Sequence, residues 1–244
     1  MREHLREAWH MIHPPRDDPH GPLPPLLLIL SVVTGLVDSL SYLMLGHVFV
    51  ANMTGNVIFL GFAVGGAEGF SIVTSITAIL AFSVGALLGG RVDSTSHRHR
   101  GRLVFRAALI ETVAVLLALG WVAISRDPFT GAGRYVLVVL LAVAMGLQNS
   151  AATSLNVPDL TTTVLTKTIT GISADARVVG GQGSRVGRRG VSILAMFTGA
   201  LVGALLVTGG HGRWVLVPAA ALLAVVTAAT VRYPRSQESW VAAR

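Results

Sequence analysis

The sequence of 244 residues contains no cysteine, a single lysine (Lys167) and few charged residues of either sign. Without cysteine the chain can form no disulfide, no cysteine-ligated zinc site and no thiol nucleophile. Charged residues make up 13% of the chain, about half of the roughly one quarter that is usual in soluble proteins. This scarcity argues against a water-soluble domain, a disordered chain and a nucleic-acid-binding module, so we expect no nucleic-acid partner.

Hydrophobic residues are abundant, at 52% of the chain with a mean hydropathy of +0.66. A helix needs roughly 20 mostly apolar residues to cross the hydrocarbon core of a bilayer. The sequence therefore predicts an all-α membrane protein in contact with lipid, with about six transmembrane helices plus two broken or re-entrant segments. The six spans are predicted at about 23–45, 70–90, 103–125, 135–157, 191–207 and 214–231.

The two remaining segments, 48–65 and 160–175, are too polar for ordinary spans. The first carries two asparagines, a threonine and a glycine at its centre, and the second carries six threonines and Lys167. If each enters and leaves on one face, the arginine-rich stretches 91–106 and 177–189 and both tails lie on one side. The positive-inside rule makes that side cytoplasmic, which predicts cytoplasmic tails at 1–22 and 232–244. A seven-span arrangement with an external N-terminus is the alternative.

The sequence also repeats itself. Three matches occur in the same order in both halves: 35–39 with 146–150, Thr54 with Thr166, and 85–89 with 199–203. They predict two membrane repeats, at 23–125 and 134–231. A unit of three spans and one re-entrant segment has odd parity, so the second copy would be inverted. Inverted repeats with broken helices are typical of secondary transporters, whose site lies near the midplane.

Asp38 lies about 15 residues into the first predicted span. An unpaired carboxylate at this depth costs several kcal/mol, so it is expected to face protein or water and to be functional. It is predicted to carry a proton or to bind a cation. The alternative is a protonated carboxyl group bonded to Ser41 or to nearby backbone. Its counterpart in the second repeat, Asn149, cannot ionise.

The first polar segment offers Asn52, Thr54 and Asn56 as solute ligands, because these side chains both donate and accept hydrogen bonds. Gly55 allows the backbone to unwind there. Non-helical backbone at membrane depth occurs only where it is buried in protein or lines a wet cavity. We therefore expect a broken helix facing a bound solute. The alternative is plain helix packing by small and polar residues.

In the second polar segment, Thr163 and Thr166 share one helical face beside Lys167. Lys167 is predicted to pair with Asp38 or Glu111, to bind a substrate carboxylate, or to extend to the cytoplasmic interface. Gln148 and Asn149 complete the predicted site for a solute or ion.

Glu111 lies about eight residues into the fourth segment. It is predicted to serve proton coupling together with Asp38. A Glu111–Arg106 pair that fixes the depth of the helix is the alternative.

The sequence lacks the motifs of several other kinds of site. No two histidines have His-x-x-x-His spacing, and the sequence holds neither a nucleophile elbow nor a phosphate-binding loop. We expect no metal, no cofactor and no enzyme activity.

The stretch 35–39, followed by Phe-x-Ala-Asn-x-Thr-Gly-Asn at 49–56, resembles the YoaK family of bacterial multi-pass membrane proteins. The resemblance covers most of the chain and implies an integral protein of the bacterial inner membrane, with no established substrate. The second half has Lys167 where the first has Gly55, so the halves differ in chemistry.

Together these observations predict a transporter of a small polar solute or ion, with proton coupling through Asp38 as an option. A channel is a close variant. The alternatives are a non-transporting scaffold or sensor and, third, an intramembrane lipid enzyme. A homo-oligomer is left open.

Overall fold

A computed structural model describes residues 2–15, 17–158, 160, 170 and 186–242. Within these ranges the regular structure is helical and no strand occurs. The α-helices are α1 (Arg2–Ile12), α2 (Leu23–Met44), α3 (Met53–Val64), α4 (Ile72–Thr95), α5 (Arg100–Ile124), α6 (Gly131–Leu155), α7 (Val186–Thr208) and α8 (Leu216–Thr230).

Six of these helices are long and apolar enough to cross a bilayer: α2, α4, α5, α6, α7 and α8 with its flanking turns. Their outward faces expose large apolar side chains where a soluble protein has charges, such as Leu87 at 74% and Leu117 at 59%. An exterior of this kind is stable only where lipid covers it. The predicted class, an all-α membrane protein with about six spans, is confirmed.

The local sequence explains where several of these helices begin and end. Proline stands in the first turn of α2, where no backbone N–H bond is lost. The hydroxyl of Ser71 accepts a bond from the N–H of Thr74 (3.3 Å) at the start of α4. Asn156 ends α6 in the left-handed conformation, with φ of 50°, which asparagine tolerates better than most residues.

Both tails meet the start of α5 at one end of the bundle. Arg100 donates to the carbonyl oxygens of Pro19 (3.4 Å) and Trp240 (3.5 Å), and the indole ring of Trp240 packs on Gly21. We call this the basic end. Two tails at the same end require an even number of crossings, which favours six spans over seven.

The segment between α2 and α4 returns to the end of the bundle from which it starts. The chain reverses at Gly46 and His47, which have positive φ angles of 90° and 53°. It runs back beside α2 without helical structure and then leaves as α3. The Nδ1 atom of His47 lies 3.0 Å from the carbonyl oxygen of Gly69, so entry and exit are neighbours. This segment is therefore re-entrant, as predicted.

The second predicted re-entrant segment, 160–175, lies outside the described residues except for Leu160 and Thr170. Nothing in the described chain tests its geometry.

Two helix crossings are built from matched residues: α2 packs on α7, and α4 packs on α6. At each crossing a glycine on each helix lies against the backbone of the other. The close approaches are Gly35 to Met196 and Ala200, Gly199 to Val32, Gly146 to Phe82 and Ala86, and Gly85 to Val143. Adding 111 to the contact positions on α2 gives those on α6, and adding 114 to the contact positions on α4 gives those on α7. The two crossings therefore use the same kind of contact, a glycine on each helix against the backbone of the other.

These crossings predict a strong cost for adding a methyl group. Gly146→Ala and Gly199→Ala would each drive a Cβ atom into a carbonyl oxygen of the facing helix, so the helices must separate. We expect each change to destabilise the protein by about 1–3 kcal/mol, measured as a lower Tm in detergent. Gly120→Ala is the control because a Cβ atom there meets nothing within 4 Å. Equal Tm values for all three variants would contradict the close packing.

Candidate functional site

A cavity lies between α2, α7 and the non-helical residues that precede α3. Its volume is about 470 Å³, within the range of small-molecule sites. Its walls are almost entirely apolar. The residues that matter for its chemistry are Asp38, Tyr42, Phe49, Asn52, Met196 and Phe197.

Asp38 joins the wall of this cavity to the re-entrant segment. Its side chain is buried, and its Oδ1 atom accepts bonds from the backbone N–H groups of Val50 (3.0 Å) and Ala51 (2.9 Å). Within the described chain, Oδ2 has no hydrogen-bond partner and no cation pairs with the carboxyl group. Oδ1 thus stabilises the non-helical backbone, and Oδ2 remains available for a further hydrogen bond.

The alternatives foreseen for Asp38 are resolved in part. The hydroxyl of Ser41 donates to the backbone carbonyl of Asp38 (3.1 Å), so the expected bond to the carboxyl group is wrong. The expected bond to nearby backbone is confirmed, with the carboxyl group as acceptor.

Asn56 supports the break in the helix from within. Its Oδ1 accepts from the N–H of Phe49 (2.9 Å), and its Nδ2 donates to the carbonyl of Phe49 (2.6 Å). The amide therefore replaces the two backbone partners that Phe49 would have in a helix. The ring of Phe49 in turn stacks on Tyr42 with 5.1 Å between centroids. Asn56 shapes the pocket without lining it.

Of the other residues predicted in the first polar segment, Asn52 lines the pocket at the residue before α3. Thr54 lies two residues further on, exposed at the outer face of α3, so the structure does not bring it to the pocket. A short helix presents only some of its residues to one side, and Thr54 lies on the other.

The second half contributes little to the described site. Thr163, Thr166 and Lys167 lie outside the described residues. Asn149 is half-buried on α6 and does not line the pocket beside Asp38.

Gln148 and Glu111 form a separate cluster. Both are buried, and both line a small cavity of about 10 Å³ between α2, α5 and α6. The Nε2 atom of Gln148 donates to the hydroxyl of Thr34 (2.8 Å). The predicted residues are therefore divided between two cavities.

The alternative role predicted for Glu111 as the partner of Arg106 is wrong. The guanidinium of Arg106 is exposed and donates to the carbonyl oxygen of Thr95 (3.1 Å). Five positions separate the two residues on α5, so their side chains point to different sides of the helix.

Two structural features escape prediction from residue patterns. Tyr42, Phe49, Phe59 and Phe70 form an aromatic cluster that closes the re-entrant segment; their only sequence signal is a local excess of aromatic residues. Buried Arg100 has no such signal, since it resembles the other arginines of its loop. At the basic end, burial and then the Arg100 guanidinium lower the pKa of His20, whose Nδ1 lies 3.1 Å from Arg100.

Within the described ranges, no three histidine, aspartate or glutamate residues are grouped as metal ligands.

Six apolar spans, a re-entrant segment fastened by Asp38 and two cavities define a multi-pass α-helical membrane protein. Residues 26–229 match the family described as "Protein of unknown function (DUF1275)", and the chain belongs to this family. A curated relative, "UPF0700 transmembrane protein YoaK" of Bacillus subtilis (strain 168), is 31% identical over 150 residues. That match covers 62% of this chain and 65% of the relative, just under two thirds of its length. The resemblance to the YoaK family is confirmed.

No solved structure matches the chain.

The bonding of Asn56 predicts that it stabilises the re-entrant segment. Asn56→Ala would leave the N–H and carbonyl of Phe49 unpaired at a half-buried position, at a cost of about 1–3 kcal/mol for each group. We expect a lower Tm in detergent, read from intrinsic fluorescence. Thr54→Ala, two residues before it in the chain but exposed, should change the free energy of unfolding by less than about 0.5 kcal/mol and leave Tm nearly unchanged. A Thr54→Ala loss as large as that of Asn56→Ala would contradict this assignment.

Proposed function

We propose that the protein is a membrane transporter and that its solute binds in the pocket beside Asp38. The observation that carries the proposal is a cavity of about 470 Å³ against a broken, re-entrant segment, with a buried carboxyl group in its wall. Unwound backbone and an ionisable group at membrane depth are costly, and proteins keep them where a solute or ion is bound.

The lining indicates the class of solute. Tyr42, Phe49 and Phe197 supply aromatic surface, whereas Asp38 and Asn52 supply the polar groups. A wholly polar solute would leave most of its hydrogen bonds unmade against such walls. We therefore refine the predicted small polar solute to a small amphipathic one, with an apolar body and a cationic or hydrogen-bond-donating head for Asp38.

Asp38 also supports proton coupling. A single available carboxylate oxygen can hold a proton or face a cationic head group, and each excludes the other. Solute and proton would then compete for the same group, which is the requirement for exchange of one against the other.

We further propose that the halves are inverted copies. α2 begins at the basic end, whereas the carbonyl of Leu155 at the end of α6 accepts a bond from Arg100 there. The first helices of the two units thus run in opposite directions. The matched glycine crossings support the same relation, and alternating access by such copies is common in transporters.

A non-transporting scaffold or sensor is the second candidate. The roles of Asn56 and of Asp38 Oδ1 in holding backbone favour it, because both would be needed without any solute. It gives no reason for the cavity beside Asp38. An intramembrane lipid enzyme is less supported, since Asp38 and Glu111 line different cavities and do not form a paired-carboxylate site. We propose no enzyme activity.

The pocket predicts selective binding of amphipathic cations. Phenethylamine should raise the Tm of the purified protein, and phenethyl alcohol, its neutral analogue, should raise it less because it lacks the charge for Asp38. Asp38→Asn should remove the difference between the two probes while keeping an oxygen for Val50 and Ala51. We expect at least a tenfold loss of amine affinity, on the order of 1.4 kcal/mol.

A size-matched pair of variants distinguishes amine binding in the pocket from amine binding at the protein surface. Ala204→Trp fills the cavity wall, whereas Leu205→Trp adds the same ring on the exposed side of α7. Only the first should abolish the amine effect and block amine uptake into proteoliposomes. Amine binding that survives Ala204→Trp, or no response to any amine in the panel, would refute the proposed site.

The proposed topology places the basic end in the cytoplasm. Since the chain has no cysteine, single cysteines report their own side of the membrane. Glu68→Cys, beside the re-entrant segment, should react with a membrane-impermeant maleimide in intact cells. Gln237→Cys, in the C-terminal tail, should react only after the membrane is opened. The reverse pattern would invert the orientation.

A further inference from the structure

The small cavity between α2, α5 and α6 contains three buried oxygen atoms that have no hydrogen-bond partner within the described part of the chain. They are both carboxyl oxygens of Glu111 and the Oε1 atom of Gln148. Glu111 is 1% exposed and Gln148 is 2% exposed. The remaining lining is apolar, formed by leucine, valine and alanine side chains. Buried polar atoms without partners are rare, so these three together indicate a missing hydrogen-bond donor.

The bonding of Thr34 fixes the orientation of Gln148. The Thr34 hydroxyl donates its hydrogen to the carbonyl of Leu30 (3.0 Å), so it can only accept from Gln148. The NH₂ group of Gln148 must therefore face Thr34, at 2.8 Å. Its oxygen is left for the cavity, and turning the amide over would break the bond to Thr34.

No charged group of the described chain compensates Glu111 inside the cavity. On α5, Arg100 lies three turns away and Arg106 points outward to Thr95. On α2 the acidic group is Asp38, which lines the other pocket together with Tyr42. On α6, Arg134 and Tyr135 lie near the far end of the helix, and α8 carries no titratable group. The C-terminal end of α4 carries Arg91 and Asp93, and neither lines the cavity.

We infer that Glu111 is a proton-binding site, with Gln148 as the acceptor for its bound proton. A buried carboxylate without a cation is far less stable than its neutral acid. Taking up one proton converts the carboxylate to a carboxylic acid, whose O–H can donate to Oε1 of Gln148. The cavity of about 10 Å³ has room for about one water molecule, which can bridge the two groups, and it is too small for an organic solute.

The site is connected to the pocket beside Asp38 through α2. Thr34, which binds Gln148, stands four residues before Asp38, so both side chains lie on one face of the helix. A change in the bonding of Gln148 therefore reaches the helix turn that holds Asp38. This coupling role rests on the proposed transport function, whereas proton binding by Glu111 does not.

Infrared spectroscopy of the purified full-length protein at neutral pH tests the inference. The protein should show the carbonyl band of a protonated carboxylic acid. Glu111→Gln, which keeps the shape of the side chain, should remove that band. Gln148→Leu should shift its frequency because the acceptor is lost, and Glu111→Asp should keep a shifted band. Glu68→Gln is the control, since it removes a carboxyl group from an exposed loop and should not alter the acid band.

Asp38→Asn identifies any part of the band that comes from Asp38, and equal elution and Tm confirm that each variant is folded. A band unaffected by Glu111→Gln would overturn the inference. So would a sodium-dependent rise in Tm that requires Glu111 and removes the band, because the site would then hold a cation. An unshifted band in Gln148→Leu would overturn the role of Gln148.

The infrared band tests proton binding by Glu111, and amine binding tests the proposed transport function, so the two proposals can fail independently. If the band depends on Glu111 but no amine binds, proton binding stands and the proposed function fails. If amines bind and the band is absent, the proton site alone fails. If both hold, amine binding should weaken at least threefold in Glu111→Gln or change its pH dependence; the absence of both effects would overturn the coupling.

Discussion

The re-entrant segment and the pocket beside it depend on one interaction. A single carboxyl oxygen of Asp38 accepts hydrogen bonds from two backbone N–H groups. Water cannot satisfy these N–H groups at membrane depth, so the chain can leave the helical conformation only where a side chain replaces the helical bond. Asn56 does the same for Phe49. The two side chains together allow a short segment to turn back, and the pocket exists because this segment does not fill the space a straight helix would occupy.

The glycine crossings supply the frame against which this segment is held. α2 approaches α7, and α4 approaches α6, closely enough that backbone lies on backbone. Helices in a membrane gain stability from such packing, because lipid offers no hydrophobic driving force for association. The crossing with α7 keeps α2 fixed on one side, while the re-entrant segment lies beside it. The polar groups therefore sit on a rigid support.

Much of the fold could be read from the sequence. Length and hydropathy set the spans, and the predicted 23–45 agrees closely with Leu23–Met44. The polar composition of 48–65 indicated a break, and Asp38 stood out because an acid is rare in an apolar span.

The candidate site was harder to predict from the sequence than the fold. Asn56 and Thr54 look alike as polar residues, yet one is buried against Phe49 and the other is exposed. Which face each presents depends on where α3 begins, and composition does not determine that. The sequence assigned proton coupling to both Glu111 and Asp38 because both are acids within apolar spans. Helix packing places them in different cavities. Arg100 was indistinguishable from its neighbours because its role arises from contacts with Pro19 and Trp240, distant in the chain.

The difference between Asp38 and Asn149 at matched positions has an electrical consequence. Displacing one elementary charge across the full membrane potential changes its energy by about 2.3 kcal/mol per 100 mV. The amide of Asn149 carries no net charge and feels almost none of this force. A membrane voltage would therefore act on an ionised Asp38 on α2 and leave the Asn149 side chain on α6 unaffected, so the two side chains would respond unequally to the same field.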